Sequence, residues 1–269
     1  MIPQRDAAAR AAKAFPPEGL AERVIPIRRI LCAGDREGAD EAIRQAGALS
    51  RAYGASLEIL HVKVGAGASD TVIVRRADEV AADLIVVGGE GETGLATQRL
   101  GEVARRVVRH ARGSVLVARR GPGSGKILAA TDFSDPSLPA VASAAEETRR
   151  RGASLTVVHN VDPELDSFGP EVVSTLLQLF SDDIMAEVGR GARDRLVEVL
   201  RRLGVEGEAV ITHGAASASI LRLAQELPAD LVVVGRSGGT GLANALVGSV
   251  AERVVRWAEC SVLVVRRHA

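Results

Sequence analysis

The stretch "LVVVGRSGGTGLANALVGSVAERVV" at residues 231–255 has a near copy earlier in the chain, "LIVVGGEGETGLATQRLGEVARRVV" at residues 84–108. Aligned without gaps at an offset of 147, residues 83–120 match residues 230–267 at 24 of 38 positions. In each copy a short apolar run ends in glycine and a helical pattern follows, which indicates a buried strand, a loop and a helix. The chain therefore contains one structural unit twice.

A second register of the same repeat lies further upstream. "GASLEILHV" at residues 54–62 aligns with "GASLTVVHN" at residues 152–160, now at an offset of 98. The two offsets differ by 49 residues, so the first unit lacks a segment that the second contains. In the second unit five apolar strand patterns alternate with four helical patterns, which is typical of a doubly wound parallel sheet. The missing segment corresponds to the second helix and the third strand.

These patterns predict the fold class and the domain limits. We expect two doubly wound, parallel-sheet α/β domains of Rossmann-like type in tandem, the first lacking one helix and one strand. Residues 1–23 form a tail or short helix, residues 24–120 the first domain, "GPGSG" at 121–125 a flexible linker, and residues 126–269 the second domain.

The closing strands of the two domains should pair with each other. Val115–Val117 and Val262–Val264 are short apolar runs, each followed by an arginine pair. Each is the last strand of its sheet and exposes an edge that must be covered. Two related domains in one chain cover both edges around a pseudo-two-fold axis, so we expect an intrachain pseudo-dimer. A homodimer of the whole chain is left open.

Composition excludes several classes of protein. The formal net charge is zero over 269 residues, which removes the strongest argument for nucleic acid or an anionic membrane as partner. No apolar run approaches the roughly 20 residues that span a bilayer. The N-terminus lacks the apolar segment of a secretory signal. The two cysteines, Cys32 and Cys260, have no metal-ligand spacing and favour a reducing compartment. We therefore expect a cytoplasmic protein with no metal site.

The glycines of the repeated stretch suggest a phosphate site. In open α/β sheets, ligands bind beyond the carboxyl ends of the strands, where the strand order reverses. Gly235 ends a strand at that edge, Gly238 follows three residues later, and Gly248 with Ser249 opens a helix. Glycine lets backbone N–H groups turn toward a phosphate, and a helix N-terminus adds unpaired donors and partial positive charge.

Two other glycine-rich stretches are rejected as nucleotide motifs. "GEGETG" at 89–94 fits the dinucleotide fingerprint, but no acidic residue occurs between Glu102 and Asp132, where a ribose partner is required. "GPGSGK" has neither the spacing nor the Ser or Thr of a P-loop.

Several segments together carry a family resemblance. The spacing G-x2-G-x9-G-S in "GRSGGTGLANALVGS", with "AATDFSDPS", "VVHNVD" and the closing "CSVLVVRR", resembles the nucleotide-binding pattern of the universal stress protein family. The resemblance covers residues 126–269 throughout and 28–120 in pruned form, so the chain is identified as a tandem member with a degenerate first domain. It implies the family's adenine-nucleotide α-hydrolase-like fold. It also implies a cytoplasmic stress-response regulator that binds ATP or AMP, with or without Mg²⁺, and has no established strong catalytic activity.

The resemblance also implies a set of site residues, all in the second domain. Asp132 would contact the ribose, and the backbone around Ala130 and Asn160 would hold the adenine. The phosphates would lie on one loop and the helix start after it: Gly235, Arg236, Ser237, Gly238, Gly248 and Ser249. Gly239 stands where relatives often have a basic residue, and Arg236 is the cation available to compensate.

Simpler interpretations compete with this site. Ser249 and Glu252 also form a capping box, S-x-x-E, which needs no ligand. Asp132 could cap the helix that follows it. Glu102 replaces Ser249 in the first domain, and two unit charges about 4 Å apart repel by roughly 4 kcal/mol at an effective dielectric of about 20. We therefore expect no nucleotide in the first domain, although Arg99 or Arg105 would relieve part of the repulsion.

Two alternative functions remain beside nucleotide-dependent regulation. One is a structural or partner-binding stress protein in which neither domain binds nucleotide. The other is slow ATP hydrolysis, for which the sequence offers no general base and no acidic pair to hold a metal ion. No catalytic residue is assigned.

Overall fold

The computed structural model describes residues 19–34, 40–62, 69–89, 101–161, 182–237 and 247–266, without the side chains of 182–185. Within these residues the strands are β1 Arg29–Gly34, β2 Ser56–His61, β3 Leu84–Gly88, β4 Ser114–Ala118, β5 Lys126–Ala130, β6 Ser154–Asn160, β7 Gly207–Thr212, β8 Leu231–Gly235 and β9 Ser261–Val265. The helices are α1 Asp40–Tyr53, α2 Ser69–Glu79, α3 Glu102–His110, α4 Leu138–Arg151, α5 Asp182–Leu203, α6 Ala216–Glu226 and α7 Ser249–Trp257, with a 3-10 turn at Ala21–Arg23.

The two halves share one continuous sheet. Its strand order is β2-β1-β3-β4-β9-β8-β5-β6-β7. All pairs within a half are parallel, and the halves meet at the antiparallel pair β4–β9. Val115 lies opposite Val264, and Val117 lies opposite Val262. The predicted pairing of the closing strands is therefore confirmed.

The pruned first half is also confirmed. Helices α2 and α3 and strands β3 and β4 recur as α6, α7, β8 and β9, whereas α5 and β7 have no counterpart among the described residues of the first half. As a result β2 is an edge strand, while its counterpart β6 lies inside the sheet. The side chain of Ile59 on β2 is 43% exposed, whereas Val157, at the equivalent place on β6, is fully buried.

Aliphatic side chains fill both faces of the sheet. One core lies between the sheet and α1, α4 and α5, and the other lies between the sheet and α2, α3, α6 and α7. Alanines make up much of the buried face of α4, including Ala140, Ala142, Ala144 and Ala145. Small side chains let this helix pack closely against the sheet, and such close packing is the main stabilising contribution in a chain with few aromatic residues.

Side chains tie the halves together on both sides of the β4–β9 pair. On one face the hydroxyl of Tyr53 hydrogen-bonds the carboxylate of buried Glu147, and the guanidinium of Arg150 lies 4.2 Å from the centre of the Tyr53 ring. On the other face buried Arg119 donates to the carbonyl of Val255, at 2.8 Å. The two halves therefore form one packed body.

Two expectations, one about the linker and one about the N-terminal tail, need correction. The linker is held in place, because Asp230 accepts hydrogen bonds from the N–H groups of Gly123 and Gly125, both at 2.6 Å. The end of the predicted tail is also part of the fold: Leu20 is buried, and Arg23 forms an ion pair with Asp135 at 2.8 Å. Neither contact is visible in composition, which reports only the glycines of the linker and the charges of the tail.

Candidate functional site

The candidate site lies where the strand order of the second half reverses. From β5 the chain proceeds to β6 and β7 on one side, and it returns to β8 and β9 on the other side. The carboxyl ends of β5 and β8 therefore border a crevice of the kind that binds ligands in open α/β sheets. Asp132 follows β5, and Gly235 is the last residue of β8, so the structure brings these two predicted residues to one edge.

The loop after β5 has a well-defined local structure around Asp132. The carboxylate accepts hydrogen bonds from the N–H of Ser134, at 3.0 Å, and from its hydroxyl. Phe133 has a φ of +62°, which is uncommon for a bulky residue, and its N–H donates to Thr131 Oγ1 at 3.0 Å. Helix α4 begins only after Ser137, so the hypothesis that Asp132 caps this helix is wrong. The side chain of Asp132 lies at the surface of the loop.

Sequence reasoning missed His159 as a part of this site. Its Nδ1 lies 2.8 Å from the carbonyl of Thr131, and its ring stacks on Phe133 with centroids 4.2 Å apart. Burial lowers the pKa of His159, against the opposing effects of the Thr131 hydrogen bond and the charge of Asp132. The imidazole thus fixes the end of β6 to the loop after β5. The signal for it was its repetition as His61 at the same place in the first copy.

Asn160 and Ala130 flank the predicted adenine position. The side chain of Asn160 donates to the carbonyl of Gly214 at 2.9 Å, and it accepts from Thr212 Oγ1 at 3.2 Å. These bonds tie the end of β6 to the turn after β7. Ala130 is half-buried and pairs with Val158 in the parallel ladder. The structure therefore gives the Asn160 side chain a positioning role, and the predicted backbone contacts with adenine stay a prediction.

Gly235 has a packing reason as well as the predicted one. A Cβ at this position would lie 3.0 Å from the Cα of Ser137 and 3.1 Å from the carbonyl oxygen of Pro136. Both neighbours are backbone atoms, which cannot move aside as the tip of a side chain can. The glycine therefore lets the loop after β5 pack against the end of β8.

The start of α7 differs from a capping box. The residue that caps the helix is Gly248, and Ser249 is the first helical residue with an exposed side chain. The first intrahelical bond runs from the N–H of Glu252 to the carbonyl of Gly248, at 3.0 Å. The capping-box hypothesis for Ser249 is therefore wrong. The N–H groups of Ser249, Val250 and Ala251 have no partner within the helix and face its N-terminal end.

The guanidinium of Arg236 contacts the first half of the chain. Its guanidinium donates to the carbonyls of Ala111, at 2.5 Å, and of Arg109, at 2.6 Å, at the C-terminus of α3 in the first half. Burial, with the nearby charge of Arg266, lowers the pKa of Arg236 to about 10. Its side chain thus contacts the first half, and its predicted place beside the phosphates stays a prediction. Ser237, the next residue, is half-buried, and Gly238 and Gly239 lie outside the described residues.

In the first half Glu102 occupies the place of Ser249. Its carboxylate accepts hydrogen bonds from Arg105, at 2.7 Å, and from Arg106, at 2.9 Å, both within α3. These two arginines lower the pKa of Glu102 to about 2. The expected relief by Arg105 is present, Arg106 adds to it, and Arg99 lies outside the described residues. The repulsion between Glu102 and a phosphate is therefore smaller than for an unpaired acid.

Comparison with known proteins identifies the family. The family model described as "Universal stress protein family" matches residues 62–119 and 123–266, which is more than half of the chain. The chain belongs to the universal stress protein family. A universal stress protein of Methanocaldococcus jannaschii is 33% identical over 142 residues, covering 53% of this chain and 82% of that protein. One of Mycobacterium tuberculosis is 29% identical over 209 residues, covering 76% of this chain and 67% of that protein.

Solved structures that match nearly the whole chain share its fold. A universal stress protein of Archaeoglobus fulgidus superposes with a TM-score of 0.57 at 16% identity, covering 91% of this chain and 98% of that one. A functionally unknown protein of Pseudomonas aeruginosa superposes with a TM-score of 0.58 at 23% identity, covering 89% and 82%. At such identities the likeness concerns the fold alone. Among the described helices of this family member, none has the length and apolar character needed to cross a membrane.

Proposed function

We propose that the second half binds one adenine nucleotide, ATP or AMP, in the crevice between the ends of β5 and β8. One observation carries the proposal. The N–H of Gly248 donates to the carbonyl of Arg236 at 2.8 Å, which brings the N-terminus of α7 against the end of β8. Asp132 follows the adjacent strand at the same edge. Hydrogen-bond donors for phosphate and an acceptor for the ribose hydroxyls thus lie at the same edge of the sheet, which supports the proposal.

The chemistry of each group fits one part of a nucleotide. The N–H groups at the start of α7, which have no partner within the helix, and the partial positive charge of the helix favour phosphate oxygens. The hydroxyl of Ser249 adds a donor at the same place. The carboxylate of Asp132 accepts hydrogen bonds, which suits the hydroxyls of a ribose. Backbone groups near Ala130 and Asn160 are left for the adenine. If the ligand is ATP, Mg²⁺ would bind together with its phosphates.

The biological role that follows is regulation by nucleotide occupancy in the stress response. Family membership supports the stress role, and the paired β4 and β9 support a single chain that acts as its own dimer. A cytoplasmic location suits the two cysteines, which are free and buried, with thiol pKa values that burial raises to about 11. Thiols of this kind need no oxidising compartment.

A protein that binds a partner and no nucleotide is the second candidate. It is favoured by the observation that the Gly248 amide and the Asp132 carboxylate already have hydrogen-bond partners within the chain. A nucleotide would have to exchange with these bonds or add to them.

Titration of the purified chain with ATP and AMP by calorimetry tests the proposal. We expect one site per chain, and mass spectrometry of small molecules released on denaturation should find an adenine nucleotide. Asp132→Asn should weaken binding at least about tenfold, because hydrogen bonds to charged groups contribute about 1.5–3 kcal/mol. Asp135→Asn is the matched control, since Asp135 lies in the same loop and pairs with Arg23. No binding to folded wild type, or equal affinity of Asp132→Asn, would contradict the proposal.

A further inference from the structure

We propose that Arg236 is a positioning residue that anchors the nucleotide loop of the second half to helix α3 of the first half. The inference rests on the proposed function, because it concerns the affinity of that site. Through this contact the first half contributes to nucleotide binding by the second half, although we expect no nucleotide in the first half itself.

Arg236 stands at the base of the loop and holds both of its ends. Its N–H donates to the carbonyl of Val265 at 2.9 Å, which extends the pairing of β8 with β9. Its carbonyl accepts from the N–H of Gly248 at 2.8 Å, which links the end of β8 to the start of α7. Any displacement of Arg236 therefore moves the end of β8 relative to the start of α7. The proposed phosphate donors lie at these two places.

The side chain fixes this base to the other half. Its guanidinium bridges the carbonyls of Ala111 and Arg109, where the final turn of α3 leaves carbonyl groups without intrahelical partners. A cation at a helix C-terminus also interacts favourably with the helix dipole. The equivalent position in the first half is Gly89, over which the side chain of Arg119 passes, so this anchor is specific to the half with the proposed site.

Arg266 provides a matched control within the same contact. It also donates to the carbonyl of Ala111, at 2.6 Å, but it follows β9 and does not belong to the loop. A purely structural role at the C-terminus of α3 is therefore shared by Arg236 and Arg266. A role in positioning the loop belongs to Arg236.

The experiment compares Arg236→Met with Arg266→Met in the full chain, using ATP affinity and thermal unfolding. Both substitutions should lower the melting temperature, because each removes a guanidinium that donates to a carbonyl at the C-terminus of α3. Arg236→Met should weaken ATP binding about tenfold, the equivalent of one lost charge-assisted hydrogen bond. Arg266→Met should change the affinity less than about twofold. Equal losses of affinity in the two variants, or no loss in Arg236→Met, would overturn the inference.

Two additions keep the test decisive. Arg236→Lys retains the charge but lacks the planar fork whose two N–H2 groups donate to the two carbonyls, so its affinity should lie between wild type and Arg236→Met, and it serves if Arg236→Met fails to fold. If wild type binds no nucleotide, the proposed function fails, and amide exchange at Gly248 then tests the anchor alone. Faster exchange in Arg236→Met than in Arg266→Met supports the anchor, whereas equal exchange refutes it.

Discussion

At the start of α7 the second half has Ser249, whereas the first half has Glu102 at the same place in α3. The helices are otherwise alike, since each is capped by a glycine and each packs its valines into the same core. Glu102 bonds to Arg105 and Arg106 of its own helix, but Ser249 is followed by Glu252 and Arg253. The two copies thus share the helix but differ at its first residue, which is an exposed serine in one and an acid paired with two arginines of its own helix in the other.

The halves differ in a second way, in the arginines that each gives to the other. Arg119 of the first half lies over Gly89 and donates to Val255 at the end of α7. In return, Arg236 and Arg266 of the second half share the end of α3. Among the described residues, the end of α7 thus receives one arginine from the other half, and the end of α3 receives two. This asymmetry gives the second half a side-chain anchor at Arg236, whereas the equivalent position in the first half is Gly89, which has no side chain.

The largest expected effect is that of Ser249→Glu on nucleotide affinity. The new carboxylate would stand beside a phosphate with Glu252 three residues later, where the first half has Arg105. Charges about 4 Å apart repel by roughly 4 kcal/mol at an effective dielectric of about 20, so calorimetry should show a loss approaching a thousandfold.

Two companion variants sharpen this prediction. Ser249→Ala should cost only about 1 kcal/mol, since it removes one hydrogen-bonding hydroxyl and no cap. Ser249→Glu combined with Glu252→Arg recreates the Glu102–Arg105 arrangement and should recover part of the affinity. If Ser249→Glu bound ATP as tightly as wild type, repulsion between this carboxylate and the phosphates could not explain the difference between the halves.

Much of the fold could be predicted because the sequence contains two copies of one unit that can be aligned with each other. Constant offsets identify equivalent strands, and the change in offset identifies the missing α5 and β7. Apolar runs with exposed edges also predicted the β4–β9 pair. These features depend on strand periodicity and edge coverage, which are local properties of the sequence.

The site was less predictable because its contacts connect distant parts of the chain. Arg236 follows a motif glycine, yet its side chain contacts the far half. Ser249 has the spacing of a capping box, but the helix begins at Ser249 itself, one residue too early for that motif. Asp230, which holds the linker, and His159, which holds the loop after β5, are single residues without a local pattern. Only their repetition as Asp83 and His61 in the first copy marks them.

The second-largest effect is expected on stability, from Arg119→Met. Methionine keeps much of the packing but removes the buried donors to Val255 and Cys260. Hydrogen bonds from charged groups contribute about 1.5–3 kcal/mol, so the free energy of unfolding should fall by about 3 kcal/mol in chemical denaturation.

Arg120→Met, at the exposed neighbouring position, should have little effect. Arg266→Met should cost about 1 kcal/mol, because Arg236 still caps α3. Equal losses in Arg119→Met and Arg266→Met would contradict the asymmetry.

Gly235→Ala should have a smaller effect on stability. The added methyl group would lie 3.0 and 3.1 Å from two backbone atoms, closer than van der Waals contact, and overpacking of this kind costs about 1–2 kcal/mol. Gly191→Ala is the control, since its Cβ would meet nothing within 4 Å and alanine is favoured inside helix α5. Denaturation should show Gly235→Ala less stable and Gly191→Ala more stable than wild type. A neutral Gly235→Ala would show that the loop after β5 adjusts freely.

The smallest effect is expected from Glu102→Ser, which gives the first half the residue of the second. The pKa of Glu102 in the folded chain, about 2, lies below its unfolded value of about 4.3, so folding favours the ionised form. Its contribution to stability is present above pH 4–5 and is lost as the pH falls toward about 2. Because the side chain is about half exposed, this contribution should stay under about 1 kcal/mol. Denaturation of wild type and Glu102→Ser should therefore differ slightly at pH 7 and converge near pH 2.

The same variant tests whether the acid alone closed the first half. We expect calorimetry to find one nucleotide per chain in Glu102→Ser, as in wild type, because the first half also lacks α5 and β7. Val62 stands at the place of Asn160, and Thr212, whose hydroxyl donates to the Asn160 side chain, is the last residue of the missing strand β7. The adenine side of the crevice would therefore remain open even with a serine at position 102. A second site in Glu102→Ser would show that the missing helix and strand are dispensable, and that a single charge separates the two halves.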